Sequence, residues 1–141
     1  MHKVRKKLGT LTDEKNVYKL FETAGKTMLM SMGGASGVIF GSLYLAGAQD
    51  AEPSEVLTGA DIAAMERRSL EAIQAKGGAQ VGDKTMVDAL VPAVEKMDAA
   101  VAAGASLLDV LKAAEQGAME GMEELSLCDP TGLTLSFLKY I

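Results

Sequence analysis

The chain has 141 residues, enough for one domain that buries a sizeable core. Alanine and methionine are abundant, aromatic residues make up 4% and tryptophan is absent, a composition that favours closely packed helices over sheet. A formal net charge of −5 argues against a nucleic-acid surface, which needs a basic stripe, and the single cysteine, Cys128, excludes an internal disulfide and fits a reducing cytoplasm.

The chain opens with its one basic cluster, His2-Lys3-Val4-Arg5-Lys6-Lys7, read as part of a flexible, solvated tail over residues 1–11. Residues 12–141 read as one helical domain without repeats or an internal linker. The basic start runs into polar residues rather than an apolar core with a cleavage site, so no secretory leader is expected. Val17, Leu20, Phe21, Ala24 and Met28 then share a helical face, and that helix should stop near Met32, where Gly33-Gly34 break it. Ser36 is expected to cap the next helix with its hydroxyl. The apolar stretch over residues 38–48 is about half the length needed to cross a bilayer and reads as a buried helix, so no membrane contact is expected.

A polar, proline-containing connection follows, and Thr58 or Asp61 starts a helix with Ile62, Met65, Ser69, Leu70 and Ile73 inward. Gly77-Gly78 stops it. From Lys84 onward Val87, Leu90, Val91, Val94 and Met97 fall at helical spacing, with Pro92 predicting a kink or irregular turn. Gly104 ends this segment, and Ser106 with Asp109 resembles a capping box. Leu107, Leu108, Leu111, Ala114, Ala118, Met122 and Leu125 give the next apolar stripe, and a short helix is expected after Gly132. Most methionines, including Met28, Met30, Met32, Met65, Met97, Met119 and Met122, read as core filler. The fold class is therefore all-α, an antiparallel helical bundle of about five or six helices.

Two glycine-bearing runs carry most of the functional signal: Gly33-Gly34-Ala35-Ser36-Gly37 and Gly77-Gly78-Ala79-Gln80-Val81-Gly82-Asp83-Lys84-Thr85-Met86. Both open helices. A helix start offers unpaired N–H groups and partial positive charge, and glycines let a phosphate approach the backbone, so the pair suggests a nucleotide diphosphate site. The second run is not a Walker A loop, because GxxxxGK[ST] is absent. Glycine-rich junctions also serve simply as turns, and a purely structural bundle would use both runs that way. Met86, at a helix start, could lay its thioether over one face of an adenine ring.

Together with Asp129-Pro130-Thr131-Gly132, these runs resemble the L subunit of dihydroxyacetone kinase, the helical nucleotide-binding partner of that enzyme. The resemblance covers roughly residues 12–132 and implies an incomplete version of a helical barrel of about eight helices with its nucleotide, ADP or ATP, at one mouth. It implies that Gly34, Ala35, Ser36 and Gly37 contact the phosphates, that Gly77 and Met86 border the adenine, and that Asp129, Pro130, Thr131 and Gly132 line the nucleotide edge. Asp83, Lys84 and Thr85 would shape the intervening loop.

The resemblance also implies a dihydroxyacetone-binding K subunit as partner, a phosphocarrier subunit in some versions, and phosphoryl transfer from the nucleotide to dihydroxyacetone. The chain departs from the family pattern in three places. Thr131 stands where Asp-Pro-Gly is usual, residues 115–128 contain no arginine, and the Gly-Asp-Gly-Asp-His-Gly run that holds two magnesium ions is missing before Gly33. Thr12-Asp13-Glu14 does not replace it, since neighbouring helical residues point about 100° apart. Magnesium is thus expected from the family with no ligands identified here, the catalytic residues are unknown, and the alternative reading is a non-catalytic nucleotide-binding or regulatory module. A seam left open by missing helices predicts a homo-oligomer or hetero-complex.

Overall fold

A computed structural model of the chain describes residues 1–127. Among these residues there are six helices and no strand: α1 (His2–Leu8), α2 (Val17–Ser31), α3 (Gly34–Ala48), α4 (Gly59–Gly77), α5 (Val87–Ala102) and α6 (Leu107–Leu127). The protein is all-α. It divides into two compact units, the first Met1–Gly77 and the second beginning at Gly78.

In the first unit each helix packs on the next in sequence. The expected tail is partly helical: α1 places Val4, 5% exposed, against Ala24 and Met28, while Arg5, Lys6 and Lys7 occupy its last turn, where cations complement the helix dipole. The basic residues disguised one apolar anchor. Asn16 starts α2 by accepting the Tyr18 N–H at 3.1 Å, and the same oxygen accepts Ser54 N–H at 3.3 Å, so one side chain ties this helix start to the α3–α4 connection.

Helices α2 and α3 meet through glycine. A methyl group on Gly25 would lie 2.6 Å from Leu45 N and 2.8 Å from the Gly41 carbonyl oxygen, so the two backbones touch there and no side chain fits between them. Helix α4 is fastened to α3 by polar contacts: Ser69 Oγ donates to Leu43 O at 2.8 Å, and Arg68 donates to Gly47 O through Nη2 at 2.6 Å and Nε at 3.0 Å. Met65, Ser69, Leu70 and Ile73 are buried as the periodicity requires. The start of α4 is a reciprocal cap, with Thr58 N–H on Asp61 Oδ2 at 2.7 Å and Asp61 N–H on Thr58 Oγ1 at 3.2 Å.

The second unit is the α5–α6 pair. Val87, Ala93, Val94 and Met97 are buried on α5, and the helix runs through Pro92 to Ala102 without the irregular turn expected there. Gly104, with φ 73, turns the chain, and Ser106 with Asp109 forms the anticipated cap. Helix α6 differs from the sequence reading. Leu107, Leu108, Leu111 and Met122 are 41–59% exposed, whereas Val110, Gly117 and Gly121 are buried. Close packing selected the small face of α6: methyl groups on Gly117 and Gly121 would overlap the backbone of α5 at Pro92 and Asp88. Methionine is divided likewise, since Met28, Met65 and Met97 are buried while Met30, Met119 and Met122 are exposed.

Candidate functional site

The first glycine run forms the start of α3. Gly33 is the N-cap and no side chain caps this end, so the expected capping by Ser36 does not occur; Ser36 sits in the first turn, exposed. A cap acts from just outside the helix, and Ser36 lies inside it. Gly34 has φ 70, and a methyl group there would meet nothing within 4 Å, leaving open space beside the backbone. Gly33, Gly34, Ala35 and Ser36 are all exposed. An uncapped helix start with a left-handed glycine and open approach suits a phosphate, which accepts hydrogen bonds from the first-turn N–H groups and gains from the helix dipole. Gly37 differs: it is buried, and a methyl group would overlap the Met32 carbonyl, so the chain reversal itself demands glycine at this position.

Gly77 closes α4 at the end of the first unit, and Gly78, with φ 67, begins the second. The loop that follows is organised by two carboxylates. Asp83 Oδ2 accepts Gln80 N–H at 2.8 Å, Asp88 Oδ1 accepts Gly82 N–H at 2.5 Å, and Asp88 Oδ2 accepts Thr85 N–H at 2.8 Å. Thr85 Oγ1 in turn accepts Val87 N–H at 3.2 Å. Gly82 and Lys84 are left-handed, with φ 97 and 58. Met86 is the N-cap residue of α5 and is half-buried. Asp83, Lys84 and Thr85 all lie within this hydrogen-bonded loop. The sequence reading missed Asp88, because an acid in a first turn ordinarily signals only a favourable dipole interaction.

The last predicted segment, Asp129, Pro130, Thr131 and Gly132, lies outside the described residues, as do Cys128 and the helix expected after Gly132. Among the described residues no group of three or more His, Cys, Asp or Glu side chains could hold a metal ion. No helix among them is long and apolar enough to cross a membrane. A half-open groove of about 450 Å³ lies at the other end of the α2–α3 pair, lined by Asn16, Tyr18, Lys19, Glu22 and Lys26 among others. Lys19 and Lys26 both bond the Glu22 carboxylate, which their hydrogen bonds hold below the usual carboxylate range. In the groove two lysines thus share one carboxylate, and the groove is separate from the glycine run.

A family model described as the DAK2 domain matches residues 1–130. The ADP-binding subunit DhaL of the PEP-dependent dihydroxyacetone kinase of Escherichia coli (strain K12) is 37% identical over 95 residues, covering 67% of this chain and 45% of that protein. The ADP-binding subunit DhaL of the PTS-dependent dihydroxyacetone kinase of Lactococcus lactis is 44% identical over 73 residues, covering 52% of this chain and 35% of that protein. The D-erythrulose kinase of Mycolicibacterium smegmatis is 36% identical over 102 residues, covering 72% of this chain and 17% of that protein. The chain spans less than half the length of these relatives.

Proposed function

The chain belongs to the DAK2-domain family, and from that premise we propose that it acts as an adenine-nucleotide-binding, dihydroxyacetone kinase-type phosphotransferase subunit. The observation that carries this reading is the start of α3: uncapped, exposed and opened by a left-handed glycine, in a chain similar to proteins named as ADP-binding subunits. In this reading the exposed backbone of Gly34, Ala35 and Ser36, with Gly37 behind it, receives the phosphates of ADP or ATP. Gly77 and Met86 border the adenine, Met86 offering a polarisable sulfur to the ring face. Asp129, Pro130, Thr131 and Gly132 complete the nucleotide edge.

When bound, the nucleotide supplies the phosphoryl group; this chain's part is to hold and orient it by backbone hydrogen bonds. The acceptor is dihydroxyacetone held by a partner K subunit, with the nucleotide recharged by a phosphocarrier subunit or exchanged as ATP, in the cytoplasm. Magnesium accompanies the nucleotide in the family resemblance, but the described residues offer no ion-holding group, so they do not fit the metal by themselves and no step is derived through it. That observation also favours a second reading, a non-catalytic nucleotide-binding or regulatory module.

Calorimetric titration of the purified chain with ADP, first with magnesium and then with a chelator, tests the proposal. Binding at micromolar affinity or better supports the site, and phosphoryl transfer on adding the K subunit and dihydroxyacetone selects the kinase reading. Binding without transfer selects the second reading. Absence of heat in both conditions would overturn nucleotide binding by this chain.

A further inference from the structure

The bend ahead of α5 is a conformation that the local sequence does not favour on its own. Lys84 carries a Cβ and yet has φ 58, and Gly82 two residues earlier has φ 97. Such backbone persists when surrounding groups over-determine it. Here one carboxylate bonds the backbone on both sides of Lys84. Asp88 is 5% exposed, and its two oxygens are used separately, Oδ1 by Gly82 N–H at 2.5 Å and Oδ2 by Thr85 N–H at 2.8 Å. Both bonds have a charged acceptor and are therefore stronger than ordinary amide contacts.

The backbone of Asp88 packs closely against α6. Pro92, four residues on in the same helix, has no N–H to return to the Asp88 carbonyl, and Gly121 of α6 approaches that carbonyl so closely that no Cβ could stand between them. The α5–α6 contact thus sets Asp88, and Asp88 sets the loop.

We propose that Asp88 is a positioning residue for nucleotide recognition: its buried carboxylate locks residues 82–85 into the bend that places Met86 at the head of α5. The proposal rests on the nucleotide reading above. It assigns Asp88 no contact with the ligand; the effect passes through the loop.

The test compares wild type, Asp88→Ala and Asp88→Asn by amide hydrogen exchange without ligand and by ADP titration. Asn is near-isosteric and keeps one acceptor oxygen, so it preserves the fold should Ala not. Expected in Asp88→Ala is exchange at Gly82 and Thr85 faster by at least about tenfold, unchanged exchange in α2 and α3, and ADP affinity lower by at least about tenfold, as loss of two charge-assisted bonds implies. Asp88→Asn should fall between the two, with one of the amides still protected. Faster exchange with ADP affinity within about twofold of wild type would overturn the positioning role while leaving the nucleotide reading intact. Unchanged exchange at both amides would overturn the lock itself. If wild type binds no ADP, the nucleotide reading fails and this proposal fails with it.

Discussion

Replacing Gly121 by alanine probes the contact on which the second unit turns. The added methyl would lie 2.8 Å from Pro92 Cγ and 3.0 Å from the Asp88 carbonyl carbon, and closer still to the Asp88 oxygen. Two of these three neighbours are backbone atoms, so no rotamer change relieves the overlap and α6 must move away from α5. Forcing an extra carbon into a well-packed interior costs about 1–3 kcal/mol, here toward the upper end. Alanine in place of glycine within a helix returns about 1 kcal/mol. The expected net destabilisation is about 1–2 kcal/mol, the difference between those figures. Urea unfolding followed by far-ultraviolet circular dichroism measures it. Gly77→Ala is the control, since the same substitution at the end of α4 meets nothing within 4 Å and should be neutral or slightly stabilising. A Gly121→Ala protein as stable as wild type would refute the reasoning, because the gain in helix propensity would then stand unopposed.

Gly25→Ala should destabilise the first unit by a similar amount, about 1–3 kcal/mol before the gain in propensity, with the loss seen as faster amide exchange in α2 and α3. Thr58 hydrogen bonds, from the hydroxyl first and then the amide, hold the Asp61 carboxyl below the usual carboxylate range. Asp61→Asn should accordingly cost about 1 kcal/mol at neutral pH, a deficit that shrinks as the pH falls through the folded-state pKa, where wild type loses the same contribution; thermal melts across acidic pH check this. Glu66 behaves oppositely. Burial pushes its carboxyl up, so its charged form opposes folding at neutral pH and the opposition lifts on protonation. Glu66→Gln should therefore raise Tm at neutral pH and lose its advantage as wild-type Glu66 becomes protonated; equal melts at neutral pH would contradict the assignment.

Helices α2, α4, α5 and α6 are legible from apolar periodicity, and α3 from an unbroken apolar stretch behind the Gly33-Gly34 stop. Ser106 with Asp109 announces α6 by a cap that the structure contains, and Thr58 and Asp61, the two alternative starts of α4, cap it together. What escaped were features set by tertiary contact. The face of α6 was chosen by how closely α5 approaches: Gly117 and Gly121 admit the neighbouring backbone, and the bulkier Leu107, Leu108 and Leu111 remain exposed. Val4 was hidden among five basic residues, and its burial depends on Ala24 and Met28, which no local pattern links to it. At the candidate site both glycine runs were recognisable, but the distinction within the first run was not. Gly34 is open and left-handed, whereas Gly37 answers to the Met32 carbonyl. Asp88 carried no motif signal, because its role depends on where Gly82 and Thr85 return to meet it.

The most direct test of the central claim is an amide-resolved ¹⁵N–¹H NMR titration of the chain with ADP. Saturable shifts are expected at Gly34, Ala35, Ser36 and Gly37 and at residues 82–86, with the Lys19, Glu22 and Lys26 groove unaffected. Saturable shifts confined to that groove, or no shift at either glycine run at millimolar ADP, would contradict that claim.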